Sequence, residues 1–211
     1  MEIAWFGHSC FRLKCKLASV ITDPYDFNTV GLKRLKISGD VVTISHDHGD
    51  HNAANVVEGN PVVFWGPGEY EVKGVRIKGI KSFHDDKQGK ERGRNTIYTY
   101  YMDGVTVCHL GDLGHQLTAE QVEEVGSVDI LLIPVGGVYT IDASDAVEVV
   151  AQLDPKIVVP MHYQLPDLKF KLGEIDEFFK AYGQNLSEPE SKISITADKL
   201  PDATQVIRLA Y

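Results

Sequence analysis

The hydrophobic pattern changes character midway along the chain. Residues 2–6, 10–13, 19–23, 41–45, 61–65, 75–81, 96–102 and 105–109 are short β-rich runs divided by Gly, Pro and other turn-forming residues, the rhythm of strands and turns. Asp103-Gly104, between the last two, suits a type I′ turn and predicts a hairpin. Beyond it, helical signals alternate with apolar runs. Thr118 followed by Gln121 makes a capping box for a helix ending near Gly126. Asp142 and Asp145 open a second helix that reaches Leu153 before Asp154-Pro155, and residues 173–182, stopped by Gly183, form a third. Runs 130–135 and 157–160 are continuously apolar, as strands covered on both faces are, and two short β runs, 193–196 and 205–209, finish the chain. Strands first and strand-helix alternation afterwards predict an α/β architecture, with sheets covered by helices. No stretch reads as a linker, a repeat or low complexity, so residues 1–211 are expected to form one domain, with Trp5 and Trp65 in its core.

Composition narrows the partners. The chain is 43% hydrophobic and 24% charged, ordinary for a folded protein, and carries a net charge of −9. Such a surface repels phosphate backbones and anionic bilayers, which argues against nucleic acid or a membrane as partner. The first fifteen residues include Glu2, His8, Arg12 and Lys14 and lack the unbroken apolar run of a secretory signal, while the longest apolar stretch elsewhere, 130–138, is far short of a bilayer span. Cys10, Cys15 and Cys108 are odd in number and suit no disulfide framework, so a reducing, cytoplasmic location is expected. Cys10 and Cys15 with His8 lack a fourth ligand for a metal site of their own.

The chemistry concentrates where the apolar run 41–45 enters His46-Asp47-His48-Gly49-Asp50-His51. A loop at a strand end lets these side chains converge on a point, where a strand would splay them to alternate faces, and Gly49 permits the tight backbone this requires. Imidazole and carboxylate without thiolate suit Zn²⁺, and also Mn²⁺, Ni²⁺ or Fe. His46-x-His48-x-Asp50-His51 resembles the signature of the metallo-β-lactamase fold superfamily. Trp5-Phe6-Gly7-His8-Ser9-Cys10-Phe11 and Ile21-Thr22-Asp23-Pro24 are similar to the opening of its compact hydrolase branch, which includes the ascorbate-6-phosphate lactonase-like proteins. Leu110-Gly111-Asp112-Leu113-Gly114-His115 and Pro160-Met161-His162-Tyr163 resemble the segments that supply a bridging aspartate and a last histidine, so the likeness runs along essentially the whole chain.

That resemblance implies a four-layer αββα sandwich and two divalent ions, Zn²⁺ first among the candidates. One would be held by His46, His48 and His84 and the other by Asp50, His51 and His162, with Asp112 between them. It further implies hydrolysis of a small ester, lactone or phosphodiester by a hydroxide shared between the ions, with Asp50 orienting it or carrying its proton. His84 is open to competition from His109 and His115, which flank Asp112; His109 falls inside a strand and His115 directly precedes a helix cap, which favours His84. His8, His115 and Tyr139 are candidate substrate contacts, and His8 and Asp23 are also candidates to support the metal ligands. The polar stretch 85–95, with Lys87, Lys90, Arg92 and Arg94, reads either as a solvated mobile loop or as a cationic mouth for an anionic substrate. The alternatives to a hydrolase are a noncatalytic metal-binding regulator and a redox metalloprotein of the same fold; redox members of the superfamily carry a carboxylate where this chain has His48.

Overall fold

The computed structural model describes residues 1–211. The N-terminal part forms strands β1 (Glu2–Trp5), β2 (Phe11–Lys14) and β3 (Ser19–Thr22), a one-turn helix α1 (Phe27–Val30), and strands β4 (Ile37–Ser38), β5 (Val41–Ile44), β6 (Val57–Glu58) and β7 (Val62–Trp65). Then come β8 (Gly68–Val72), β9 (Val75–Phe83), β10 (Arg94–Met102), β11 (Val105–His109), α2 (Ala119–Val125), β12 (Ile130–Pro134), α3 (Ala143–Leu153), β13 (Ile157–Met161), α4 (Ile175–Ala181), β14 (Ile193–Ser194) and β15 (Gln205–Val206). One sheet has the order β14-β1-β2-β3-β5-β7 and the other β15-β13-β12-β11-β10-β9-β8, while β4 and β6 pair by themselves.

The two large sheets pack against each other. Ile3, Phe11, Ile21 and Val42 of the first and Ile80, Ile97, Leu131 and Val158 of the second belong to one contiguous core, each such side chain stabilising the fold by about 1.5–3 kcal/mol of burial. Polar contacts fix how the sheets face: the hydroxyls of Thr43 and Tyr100 lie 2.7 Å apart, and Tyr98 donates to the Ile44 carbonyl at 3.2 Å. Helices α2 and α3 pack on β9 and β12, and α4 packs on α3, giving the outer layer over the second sheet. The chain of the first sheet contributes only α1 and one 3₁₀ turn at Ala54–Val56 before β8, so its outer layer is thin. No helix is long and apolar enough to cross a membrane.

Local signals explain most of these boundaries. The Thr118 hydroxyl and the Gln121 amide cap α2 reciprocally, and the Asp142 carboxylate accepts from the Ser144 and Asp145 amides at the start of α3. Asp103 and Gly104 both have positive φ, 51° and 77°, as a type I′ turn requires. Strands β12 and β13 are buried at every residue. The pattern missed α1, a single turn capped by Asp26, and β8, whose Gly-Glu-Tyr-Glu-Val has no apolar run and sits at a sheet edge. The run 205–209 is a strand only over Gln205–Val206, with an isolated bridge from Leu209 to Glu190. Trp65 is not a core residue. It lies on edge strand β7 and is 53% exposed, whereas Trp5 is buried at 4%. Of residues 85–95, the last two open β10 and the rest are an organised turn: the buried Asp85 carboxylate accepts from the amides of Lys87, Gly89, Glu91 and Arg92, which hold its pKa well below the usual range against the opposing effect of burial.

Strand direction places the loops. In the first sheet β1 and β3 run parallel to each other, because each is antiparallel to β2, and β5 continues parallel to β3. In the second, β9 and β11 share a direction across antiparallel β10, and β12 and β13 follow in parallel. The C-terminal ends of these seven strands therefore open toward one edge of the sandwich, where open α/β sheets carry their sites. Two glycines let the loops meet there. Gly111 sits at φ 57°, and a Cβ on it would strike the Asn95 and Ser45 side chains. A Cβ on Gly114 would strike the backbone of His84 and Asp85.

Gly114→Ala is accordingly expected to force apart the loops bearing His84 and Asp112, at about 1–3 kcal/mol of overpacking, which lowers the melting temperature by roughly 2–12 °C. Calorimetry checks this; an unchanged melting temperature would show that the approach is looser than described.

Candidate metal centre

Six of these strands deliver a polar residue just past the C-terminal end: His8 after β1, Asp23 after β3, the 46–51 cluster after β5, His84 after β9, Asp112 after β11 and His162 after β13. Three of them adopt the left-handed backbone that non-glycine residues rarely take, with φ of 54° at His8, 37° at Asp23 and 52° at His162. Such strain gathers where the surrounding structure dictates a side-chain position.

The convergence centres on Asp112, which is 2% exposed. Its Oδ2 lies 3.2 Å from His162 Nε2, 3.3 Å from both His51 Nε2 and His84 Nε2, and 3.8 Å from His46 Nε2. Its Oδ1 is buried without any hydrogen-bond partner, and so is His46 Nε2. Asn95 fixes the loop, accepting from the Asp112 amide at 3.0 Å and donating to the Leu110 carbonyl at 2.8 Å. Two donor groups surround this carboxylate. One atom each from His46, His48 and His84 lies within 4.8 Å of the others, and the same holds for His8, Asp50, His51 and His162. His8 Nε2 is 3.1 Å from both Asp50 Oδ2 and His51 Nε2, and its ring lies 4.3 Å, centroid to centroid, from that of His162.

A further shell orients the imidazoles. Buried Asp23 accepts from His51 Nδ1 at 2.9 Å through Oδ2, from the Ser45 amide at 2.8 Å through Oδ1, and from the Ser45 hydroxyl at 2.5 Å. Ser45 Oγ is in turn 2.9 Å from His46 Nδ1. The Nδ1 of His51 and of His46 is thus engaged on the outer side, which leaves each Nε2 for the cluster.

Electrostatics agree with a cation site. Burial drives the pKa values of His46 and His84 below the ordinary range and that of His8 to about 4, so at neutral pH these rings keep their lone pairs for a metal. Burial pulls His51 the same way, but the carboxylates of Asp112 and Asp50 outweigh it and raise its pKa well above normal. Burial would raise the pKa values of Asp112 and Asp50; neighbouring imidazoles, His162 and His51 for Asp112 and His51 and His8 for Asp50, hold both well below the usual range. A buried carboxylate with an unpartnered oxygen, ringed by imidazole nitrogens, is costly without a compensating cation. The residues present therefore fit a metal.

The sequence candidates fall into place unevenly. His46, His48, Asp50, His51, His84, Asp112 and His162 come together. His109 does not join them: it is fully buried, with Nε2 2.9 Å from the Ser9 carbonyl and Nδ1 accepting from the Gly111 amide. His115 Nε2 accepts from the Phe83 amide at 3.2 Å and Nδ1 lies 2.7 Å from the Gln116 carbonyl, so this ring braces the His84 loop. Tyr139 lines a cavity of about 400 Å³ over the cluster, with Thr29, Arg92 and Phe170 among the other lining residues. Sequence reading missed Thr29 and Phe170. Thr29 stands on the unforeseen α1, and Phe170 lies in a loop with no motif around it.

Comparison with known proteins settles the family. Residues 2–162 match the family model described as the beta-lactamase superfamily domain. A metal-dependent hydrolase of the UPF0173 group from Thermoplasma acidophilum is 30% identical over 192 residues, covering 80% of this chain and 85% of the relative. A Pyrococcus abyssi protein of the same group is 30% identical over 182 residues, 77% of this chain and 83% of its own length. A solved structure from Thermotoga maritima, described as a Zn-dependent hydrolase of the metallo-β-lactamase superfamily, is 40% identical and superimposes with a TM-score of 0.80 over 99% of this chain and 97% of its own. With its strand-end cluster of histidines and aspartates, this chain belongs to the metallo-β-lactamase superfamily and is a metal-dependent hydrolase.

Proposed function

We propose that the protein hydrolyses a small ester, lactone or phosphodiester at a centre of two divalent cations, Zn²⁺ by preference. His46, His48 and His84 would hold one; Asp50, His51 and His162 would hold the other, and Asp112 would serve both. When bound, such a pair supplies a water-derived nucleophile at neutral pH and polarises the oxygen of the scissile group. The observation that carries this reading is the buried, half-unpartnered Asp112 carboxylate amid four imidazoles. The description of the Thermotoga relative as Zn-dependent supports the choice of metal.

The chain's own residues do the rest. Asp50 is the cluster's accessible carboxylate, with 22% of its side chain exposed and its Oδ2 engaged by His8 and His51. With Oδ2 so engaged, Asp50 would orient the nucleophile or carry its proton through its other oxygen. Arg92 stands at the cavity wall with its guanidinium 5.6 Å from the Tyr139 ring and donating to the Val138 carbonyl at 3.2 Å, in position to hold an anionic substituent. Phe170, 6.3 Å from Tyr139 ring to ring, gives the cavity an apolar wall. A cavity of about 400 Å³ admits a small molecule and suits no folded partner. His8 Nε2, set among the donors Asp50, His51 and His162, belongs to the second cation's surroundings.

Three outcomes are expected. Chelation abolishes hydrolysis across a panel of chromogenic lactones, phosphodiesters and β-lactams, and one class recovers when metal is restored; turnover in fully demetallated protein would sink the proposal. Asp23→Asn, which weakens the hold on His51 and Ser45, lowers metal affinity by about 10–100-fold with the melting temperature little changed, as measured by chelator competition. His8→Ala loosens one metal equivalent in the same assay and leaves the other unchanged; if both equivalents bind as in the parent protein, His8 has no part in the centre.

A further inference from the structure

The cavity over the cluster has a neighbour. A second hollow of about 420 Å³ shares His48 and Arg92 with the first, and Trp65, Lys81 and Arg94 also line it. His46 and His48 line it too, and His48, a proposed metal ligand, is where the two lobes meet. Three features of the second lobe call for a ligand. Trp65 leaves 53% of its surface exposed at the end of β7, beside the loop that begins at Ser45. Lys81, Arg92 and Arg94 are exposed cations that form no ion pair, on a chain whose net charge is −9. The lobe's single acidic lining residue, Asp47, is already engaged, its Oδ1 accepting from the Asn52 amide group at 2.7 Å. A concave site with positive charge and one aromatic face selects an anion attached to a flat ring, because the cations bind the charge and the indole stacks the ring.

We infer that this second lobe is a substrate subsite, and that it takes an aromatic ring bearing a phosphate or carboxylate. The inference rests on the hydrolase reading and deepens it. With the scissile bond at His46 and His48, one half of the substrate occupies the Tyr139–Phe170 lobe, and the other, anionic and planar, occupies the Trp65 lobe. Arg92, common to both, sits between the halves.

Trp65 reports on its own lobe. The chain has two tryptophans, and Trp5 is buried at 4%, so a ligand on Trp65 changes the exposed indole's fluorescence without requiring turnover. The experiment titrates the purified, metal-containing protein with phenyl phosphate, benzoate, benzyl alcohol and inorganic phosphate. Saturable changes are expected with phenyl phosphate, benzoate or both, and the stronger of the two identifies the anion. Benzyl alcohol and inorganic phosphate, each lacking one half of the recognition, bind about tenfold or more weakly. Trp65→Phe removes the signal while calorimetry still detects binding. Lys81→Gln/Arg94→Gln raises the dissociation constant about tenfold, and raises KM for an anionic aromatic ester while leaving kcat and the KM for a neutral ester unchanged. The inference is overturned if no aromatic anion gives a saturable response, or if the double variant binds phenyl phosphate and benzoate as the parent does, which would put the anion on the metals. Failure of the hydrolase reading looks different: binding at Trp65 persists while no ester is turned over with or without metal.

Discussion

A single buried carboxylate sets the terms for this structure. Asp112 lies just past the end of β11, 2% exposed, with one oxygen lacking any partner and the other shared among imidazoles at 3.2–3.8 Å. An arrangement like this is unfavourable in a protein interior unless positive charge satisfies it. The imidazoles do so only in part, because burial keeps His46 and His84 from holding protons. A bound cation would satisfy it, and this requirement joins the fold to the chemistry.

The fold meets the requirement through strand direction and close approach. Six strands running the same way in their two sheets bring His8, Asp23, the 46–51 loop, His84, Asp112 and His162 to one edge. Gly111 and Gly114 then let the Asp112 loop touch Ser45, Asn95 and the His84 backbone, a fit that any side chain at either position would obstruct. Strain at His8, Asp23 and His162 accompanies this arrangement, held in place by a core that spans both sheets. Because Asp23 and Ser45 engage the outer nitrogens of His51 and His46, the cluster's orientation is written into β3 and β5 as much as into the ligand loop itself.

Much of this was legible in the residues. The strands β5, β12 and β13 announce themselves as apolar runs, the caps of α2 and α3 as Thr118 and Asp142, and the ligand loop as four donors in six residues. The preference for His84 over His109 rested on a strand assignment, and the structure places His109 within β11, bonded to backbone on both nitrogens. What stayed hidden depended on tertiary geometry. Trp65 reads as a core residue in an apolar run, yet β7 lies at a sheet edge, and an edge cannot be told from a centre by composition. Residues 85–95 read as either a solvated mobile loop or a cationic mouth, and nothing local shows that the Asp85 carboxylate gathers four amides of its own turn. Phe170 and Thr29 reach the cavity from segments without a motif, where only the closed fold brings them near Asp112.

The central claim is that the Asp112 cluster is built around cations, and metal content tests it most directly. Elemental analysis of protein purified without chelators is expected to find two equivalents of a divalent metal, falling to one or none in Asp112→Ala while the fold persists by circular dichroism. A parent protein that carries no metal and takes up none on dialysis against Zn²⁺, Mn²⁺, Ni²⁺ or Fe²⁺ would contradict it.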